Sequence, residues 1–167
     1  SMATYSAYDR ILFSNDAFGQ HYATSKRFDY DVDYGELFYE ARKYFANILW
    51  PYAKLIERAF MKLSALDFTM IAPSHGVIWK RYIPEILKAY LDWGKGVQDG
   101  SLVIAYDSMW GGTEKLARAI ARGAANAGVV VKMFKMGATP NSTVAAELFT
   151  ASGFLAGSST LNCSMLP

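Results

Sequence analysis

The pattern of apolar and polar positions splits the chain at GKGVQDG (94–100), a glycine-rich polar stretch that reads as a linker. Ahead of it, RILF (10–13) predicts a short strand running into the turn-forming SNDAFG. From Glu36 onward, Leu37, Phe38, Ala41, Tyr44, Phe45, Ile48 and Leu49 fall at helical spacing. Pro51 interrupts that pattern; lacking an N–H, it either kinks the helix or begins the next one. Leu55, Ile56, Ala59, Phe60 and Leu63 then continue a second amphipathic face. FTMIAP (68–73) predicts a strand that delivers SHG into a loop, and Pro84 starts a helix closed by Gly94. Asp29, Asp31 and Asp33 alternate in RFDYDVDYG, a surface loop leading to the first helix. They lack the Gly and bidentate Glu of a calcium-binding EF-hand loop, so they read as a solvated face.

Beyond the linker the texture changes. SLVIAY is a near-continuous apolar strand, and TEKLARAIARGAANAG a helix with Leu116, Ile120 and Ala124 on one face and Gly128 as its stop. VVVKMF, NSTVAAELFTA and GFLAGSS follow as strand, helix and strand. Strand-helix-strand-helix-strand with strands apolar on both faces predicts a parallel sheet covered on both sides.

Composition narrows the function classes. At 167 residues and 52% hydrophobic, the chain can bury a core as one domain or two small ones. A net charge of +2, with no basic stripe, argues against nucleic acid as the partner. Cys163 is the single cysteine, which excludes an intrachain disulfide and suits a reducing compartment. No run of 18 or more apolar residues and no signal-peptide pattern occurs, so no membrane span is expected and the cytoplasm is the expected location.

The candidate chemistry lies where SLVIAY breaks into Asp107-Ser108-Met109-Trp110-Gly111-Gly112-Thr113 and a helix begins at once. A helix start offers free backbone N–H groups and a positive dipole end, both suited to an anion. Gly111 and Gly112 allow close approach, while Ser108 and Thr113 supply hydroxyls. The loop is neither a Walker A motif nor a G-x-G-x-x-G fingerprint, and Thr113 followed by Glu114 also suits an ordinary N-cap. Spacing alone therefore leaves a phosphate loop and a plain structural turn both open.

SMWGGTEKLA resembles the first phosphate loop of flavodoxins, and its Met-Trp variant is similar to the flavodoxin module of flavodiiron proteins (A-type flavoproteins). GSSTLNCSMLP (157–167) resembles that family's second flavin loop, which is usually Ser-Pro-Thr-x-Asn-Asn. The resemblance implies FMN contacts at Ser108, Met109, Trp110, Gly111, Gly112, Thr113, Ser158, Ser159, Thr160 and Asn162. Ser159 replaces the usual proline, and Cys163, where a second asparagine is common, is expected to be a small core residue rather than a flavin contact.

SNDAFGQHYATS (14–25) and IAPSHGVIW (71–79) are similar to two metal-binding segments of the same family. They imply Asp16 as a metal-bridging carboxylate and His75 as an imidazole ligand of a diiron site, both good donors for iron. On their own these residue types fit a turn aspartate and a loop histidine better than a metal site. His21 is either second to a metal ligand, orienting it, or structural. Phe18, Tyr22 and Trp79 read as core or pocket lining rather than redox relays.

The fold so implied is α/β: the C-terminal part of a metallo-β-lactamase-like αββα domain (1–95), a linker (96–100), and an incomplete flavodoxin-like doubly wound parallel sheet (101–167). Four of the family's six usual metal ligands, including a His-x-Glu-x-Asp-His motif, are absent, and three of five flavodoxin strands are present. The resemblance thus implies an internal fragment, itself inactive, of an oxidoreductase reducing nitric oxide to nitrous oxide or dioxygen to water. It further implies FMN and two non-haem irons as cofactors, rubredoxin or a similar protein as electron donor, and a head-to-tail homodimer. The alternatives are an FMN-binding electron-transfer module without a working metal site, and a zinc hydrolase of the metallo-β-lactamase superfamily.

Overall fold

In the computed structural model, which describes residues 2–63 and 65–165, the chain forms two compact units, Ser1–Val97 and Gln98–Pro167. Residue 1 of the first assigned domain and residues 166 and 167 of GSSTLNCSMLP lie outside the described residues.

The first unit is built on a three-stranded sheet ordered β1 (Thr4–Ser6), β2 (Ile11–Asn15), β3 (Met70–Pro73). Strands β1 and β2 form an antiparallel hairpin, whereas β2 and β3 run parallel with Leu12 opposite Ile71. A parallel pair needs a long crossover, and helices α1 (Tyr34–Tyr44) and α2 (Ala53–Leu63) supply it. Helix α1 begins where Asp33 caps it, accepting the Glu36 N–H at 2.8 Å, and buries Leu37, Ala41 and Tyr44. Pro51 neither simply kinks nor simply starts a helix. The chain widens to a π-turn over Phe45–Leu49, tightens to a 3-10 turn over Trp50–Tyr52, and only then resumes as α2. The missing donor and the ring's demand for space account for both distortions.

The predicted face of α2 is only partly used. The Phe60 ring meets that of Phe18 edge-on at 6.0 Å, while Leu55 and Ala59 are exposed. Helix α3 (Ile83–Gly94) buries Ile86 and Tyr90, closing a core that includes Phe18, Phe45 and Trp79.

One acidic residue departs from its sequence reading. Asp29 is not on a solvated face: it is 0% exposed and accepts the backbone N–H groups of Lys80, Arg81 and Tyr82 at 3.0, 2.9 and 2.7 Å. Three N–H donors stand in for water around the buried carboxylate, so it fastens the segment before α3 to the segment before α1. Asp31 and Asp33 are exposed, as expected.

The second unit is a parallel sheet in the order β5 (Val131–Lys135), β4 (Leu102–Tyr106), β6 (Gly153–Gly157). Helices α4 (Gly112–Asn126) and α5 (Asn141–Thr150) connect the strands. The chain steps first to one side of β4 and then to the other, so two right-handed crossovers put the helices on opposite faces. The alternation of β4 serves both: Ile104 and Tyr106 pack with Ala117, Ala121, Val131 and Met133 on the α4 face.

The sheet-facing ridge of α4 is Ala117 and Ala121, one residue on from the predicted Leu116, Ile120 and Ala124. Leu116 and Ile120 are 61% and 39% exposed. Alanines let the helix axis approach the sheet closely, which pushes the bulkier residues to its flank. After β6 comes a small hairpin, β7 (Thr160–Leu161) and β8 (Ser164–Met165), which the sequence pattern does not announce. Its turn places Asn162 and Cys163 at φ 49° and 63°. Cys163 is therefore exposed at a turn tip and is not a core residue.

Asp99, within the predicted linker, is tied into the second unit. Its N–H bonds to the Thr150 carbonyl at 2.8 Å, and its carboxylate accepts from Ser101 Oγ (2.6 Å), Ser101 N (2.9 Å), Thr150 Oγ1 (3.0 Å) and Lys132 Nζ (3.1 Å). Burial opposes its charge, but the hydrogen bonds from Ser101, then Lys132 and Thr150, outweigh it and hold the carboxyl well below its ordinary value of 3.8. A carboxyl lowered by folding stabilises the fold above its ordinary value and loses that contribution as pH falls toward the folded value. Asp99→Asn is thus expected to lower the urea midpoint at pH 7, with the gap to wild type closing as pH drops below 3.8. A gap of constant size across that range would contradict the account. No described helix is long and apolar enough to cross a membrane.

Candidate functional site

Two loop clusters carry the candidate residues, one in each unit. In the first unit, β2 and β3 are parallel neighbours, so the loops that follow them leave the same edge of the sheet. One holds Asp16 and the other His75. Backbone and side chains lace the loops together: Ser74 N donates to the Asn15 carbonyl (2.8 Å), and Gln20 N to the His75 carbonyl (3.2 Å). The Asp16 Oδ1 and His75 Nε2 atoms come to 3.5 Å, each on a side chain about half exposed. The Tyr44 hydroxyl lies 3.5 Å from Asp16 Oδ1. Burial, then the Asp16 carboxylate, push the Tyr44 phenol up to about 12.

The His21 ring sits 5.8 Å from that of His75 and 4.8 Å from that of Tyr44. It also lines an open cleft with Tyr22, Glu36 and Glu40, in which Tyr22 donates to Glu36 at 2.8 Å. Among the described residues, no group of three or more His, Cys, Asp or Glu side chains is placed to hold a metal. A firmly held iron or zinc takes at least three protein donors, so Asp16 and His75 alone do not fit one.

The backbone around Asp16 is strained and held so by its surroundings. Asn15 and Phe18 have φ 58° and 66°; asparagine tolerates this region, but the bulky phenylalanine adopts it only under constraint. Phe18 is 1% exposed; its N–H donates to the Tyr90 hydroxyl (2.7 Å), and its carbonyl accepts from Trp79 Nε1 (2.7 Å) and Gln20 Nε2 (3.0 Å). Gln20 is fully buried and also accepts the Val77 N–H at 2.7 Å. Gly76, at φ +83°, closes over it: a Cβ there would lie 1.9 Å from Gln20 Oε1. The sequence flagged Phe18 and Trp79 as core, but nothing in it marked Gln20 or Tyr90 as struts of this loop. The glycine directly after His75 was the one available signal.

In the second unit, the loop after β4 lies at the carboxyl end of the sheet beside the point where strand order reverses, the usual place for a ligand. Asp107 N donates to the Gly157 carbonyl at 2.9 Å, and its carboxylate accepts the Ser108 N–H at 2.7 Å. The Ser108 Oγ is buried with no hydrogen-bond partner. Gly111 is the N-cap of α4 at φ 81° and offers no side-chain cap, so the first N–H groups of the helix are not satisfied by one. A Cβ added at Gly111 or Gly112 would meet nothing within 4 Å, leaving a vacant approach to those N–H groups. An orphaned hydroxyl, uncapped N–H groups and open space over two glycines fit a phosphate.

Ser159 reaches in from the loop after β6, its Oγ 3.2 Å from Met109 N and 3.1 Å from Thr113 Oγ1. Ser158 donates to the Ser159 carbonyl at 3.0 Å. Ser108, Gly111, Gly112, Thr113 and Ser159 are therefore gathered round one turn. Trp110 is 90% exposed, and Thr160 and Asn162 sit exposed in the following hairpin. A neighbouring cavity of about 540 Å³ is lined by Asp107, Gly137, Asn141, Gly157 and Ser158. Sequence reading did not single out Asp107, Gly137 or Asn141; they come together only because three strand ends converge.

A flavodoxin family profile matches residues 104–166. The chain is 43% identical over 169 aligned positions to the nitric oxide reductase of Moorella thermoacetica, covering all of this chain and 42% of that protein. Rubredoxin oxygen:oxidoreductase from Desulfovibrio gigas superposes over the whole chain with a TM-score of 0.96 at 34% identity, 43% of that structure being covered. The flavodiiron protein of Giardia intestinalis does so with a TM-score of 0.97 at 32% identity, with 41% of it covered. The chain thus spans about two fifths of the length of these relatives (42% of the first). In sequence and in backbone, throughout both units, the chain is similar to proteins of the flavodiiron family.

Proposed function

We propose that residues 1–95 contribute to a metallo-β-lactamase-like diiron domain, that 96–100 link it onward, and that 101–167 form part of an FMN-binding flavodoxin-like domain. The whole protein would then be a cytoplasmic, head-to-tail homodimeric oxidoreductase. It would reduce nitric oxide to nitrous oxide, dioxygen to water, or both, with electrons relayed through FMN from a rubredoxin-type donor. Likeness to proteins named nitric oxide reductase and rubredoxin oxygen:oxidoreductase supports this reading.

The observation that carries the flavin assignment is the buried, partnerless Ser108 Oγ inside a glycine turn at a helix start. When bound, the flavin supplies the redox chemistry. Ser108, Thr113 and the first N–H groups of α4 hold its phosphate, with Gly111 and Gly112 leaving room and Met109 and Trp110 flanking the turn. Ser158, Ser159, Thr160 and Asn162 enclose the same site from the second loop. Fluorescence titration of the chain is expected to give FMN an affinity at least about tenfold above riboflavin, since charge-assisted bonds to phosphate are the strong ones. Equal affinities, or no binding of either, would overturn the assignment.

Asp16 and His75 are proposed as two ligands of the diiron site, with His21 orienting one of them. The remaining donors would lie in the part of the relatives that this chain does not span. The 167 residues alone are accordingly expected to retain no stoichiometric iron and to consume neither nitric oxide nor dioxygen. Iron held at one or more equivalents after desalting would contradict the two-ligand account. The alternative reading is a flavin electron carrier without a working metal site. Iron analysis of the full-length protein separates the two.

A further inference from the structure

We propose that Ser159 is a positioning residue: it braces the phosphate turn before any ligand arrives, and so sets the preference for a phosphorylated flavin over an unphosphorylated one. The proposal deepens the FMN reading and rests on it. Ser159 belongs to the loop after β6, yet its single Oγ reaches both flanks of the glycine turn, Met109 N at 3.2 Å and Thr113 Oγ1 at 3.1 Å. A hydroxyl carries one donor and two acceptor sites, enough to accept the Met109 N–H and to exchange a bond with Thr113.

Between those two anchors lie Trp110, Gly111 and Gly112. Gly111 is at φ 81°, a region glycine enters and leaves freely, so this is the part of the loop with most freedom to lose. A ligand that must order the turn loses affinity by that amount; a turn fixed in advance spares it. Because both Ser159 contacts are made within the protein, its role is to hold the turn in shape. Ser108, whose Oγ has no partner, is the hydroxyl left for the anion. The two serines therefore divide the task, one touching the phosphate and the other fixing what touches it. Proline, usual at this position in the pattern the loop resembles, has no hydroxyl and could make neither contact.

The test uses the full chain with Ser159→Ala and Ser159→Thr, read by FMN and riboflavin titrations and by hydrogen exchange of the Met109 amide without flavin. Ser159→Ala is expected to weaken FMN roughly five- to tenfold, the worth of about one hydrogen bond, and to leave riboflavin unchanged. The Met109 amide should exchange severalfold faster, and Ser159→Thr should restore both readouts. An unchanged FMN-to-riboflavin ratio in Ser159→Ala, or an equal loss of both ligands, would overturn the proposal. So would undiminished protection of the Met109 amide. If the wild-type chain takes up no flavin, the FMN reading falls, and the amide exchange alone decides whether Ser159 braces the turn.

Discussion

Gly76→Ala is expected to cost the first unit about 3–5 kcal/mol, a large share of the ~5–15 kcal/mol that holds a domain folded. Two penalties combine. At φ +83° an alanine is strained by roughly 1–2 kcal/mol. Its Cβ would also stand 1.9 Å from Gln20 Oε1 and 2.6 Å from the Gln20 carbonyl, so the buried amide must move. Moving it breaks bonds to Val77 N, Val77 O and Phe18 O, groups with no water to turn to. The strained Phe18 backbone loses one of its holders, and the loops bearing Asp16 and His75 lose their register. Urea unfolding followed by far-UV circular dichroism should show the drop.

Gly112→Ala is the contrasting control, since its Cβ would meet nothing within 4 Å. Alanine in a helix is neutral to stabilising by about 0.5–1 kcal/mol, so stability should hold or rise while FMN binding falls as the methyl group fills the approach to the phosphate turn. Equal stability losses at Gly76 and Gly112 would refute the distinction between a glycine needed by the fold and one needed by the ligand.

Asp29→Ala carries the second large effect, about 2–5 kcal/mol, because it strips the acceptor from three backbone N–H groups at once. Asp29→Asn should cost less: one oxygen remains to accept, but the charge that strengthens the bonds is gone. Thermal unfolding of the two variants gives the order Ala below Asn below wild type. An Asp29→Ala protein as stable as wild type would return the carboxylate to the solvated face that its alternation with Asp31 and Asp33 suggests.

That misreading shows where sequence patterns stop. Apolar periodicity located α1, α3, α5 and the three strands of the parallel sheet, because burying one stripe or both faces leaves a direct mark on residue order. The readings of Asp29, from acidic alternation, and of Cys163, from its place in the flavin-loop pattern, both failed for one reason: burial of a single short residue depends on what the rest of the chain brings to it. The face of α4 slipped by one position because alanines, weak in any hydrophobic count, pack a helix closer than leucines do. Around the candidate sites, the glycine turn, Asp16 and His75 were legible as wording.

Sequence by itself therefore determined the class of structure, the strand-turn-helix at residues 102–126, and the residue types able to hold a phosphate or a metal. Only the tertiary structure decided which of them meet. It set Asp16 Oδ1 3.5 Å from His75 Nε2, left the Ser108 hydroxyl buried and alone, and stretched Ser159 across to Met109 and Thr113, 50 and 46 residues earlier. Local pattern records what each segment must hide from water. Convergence of distant loops is fixed by strand order and register, which no single segment encodes.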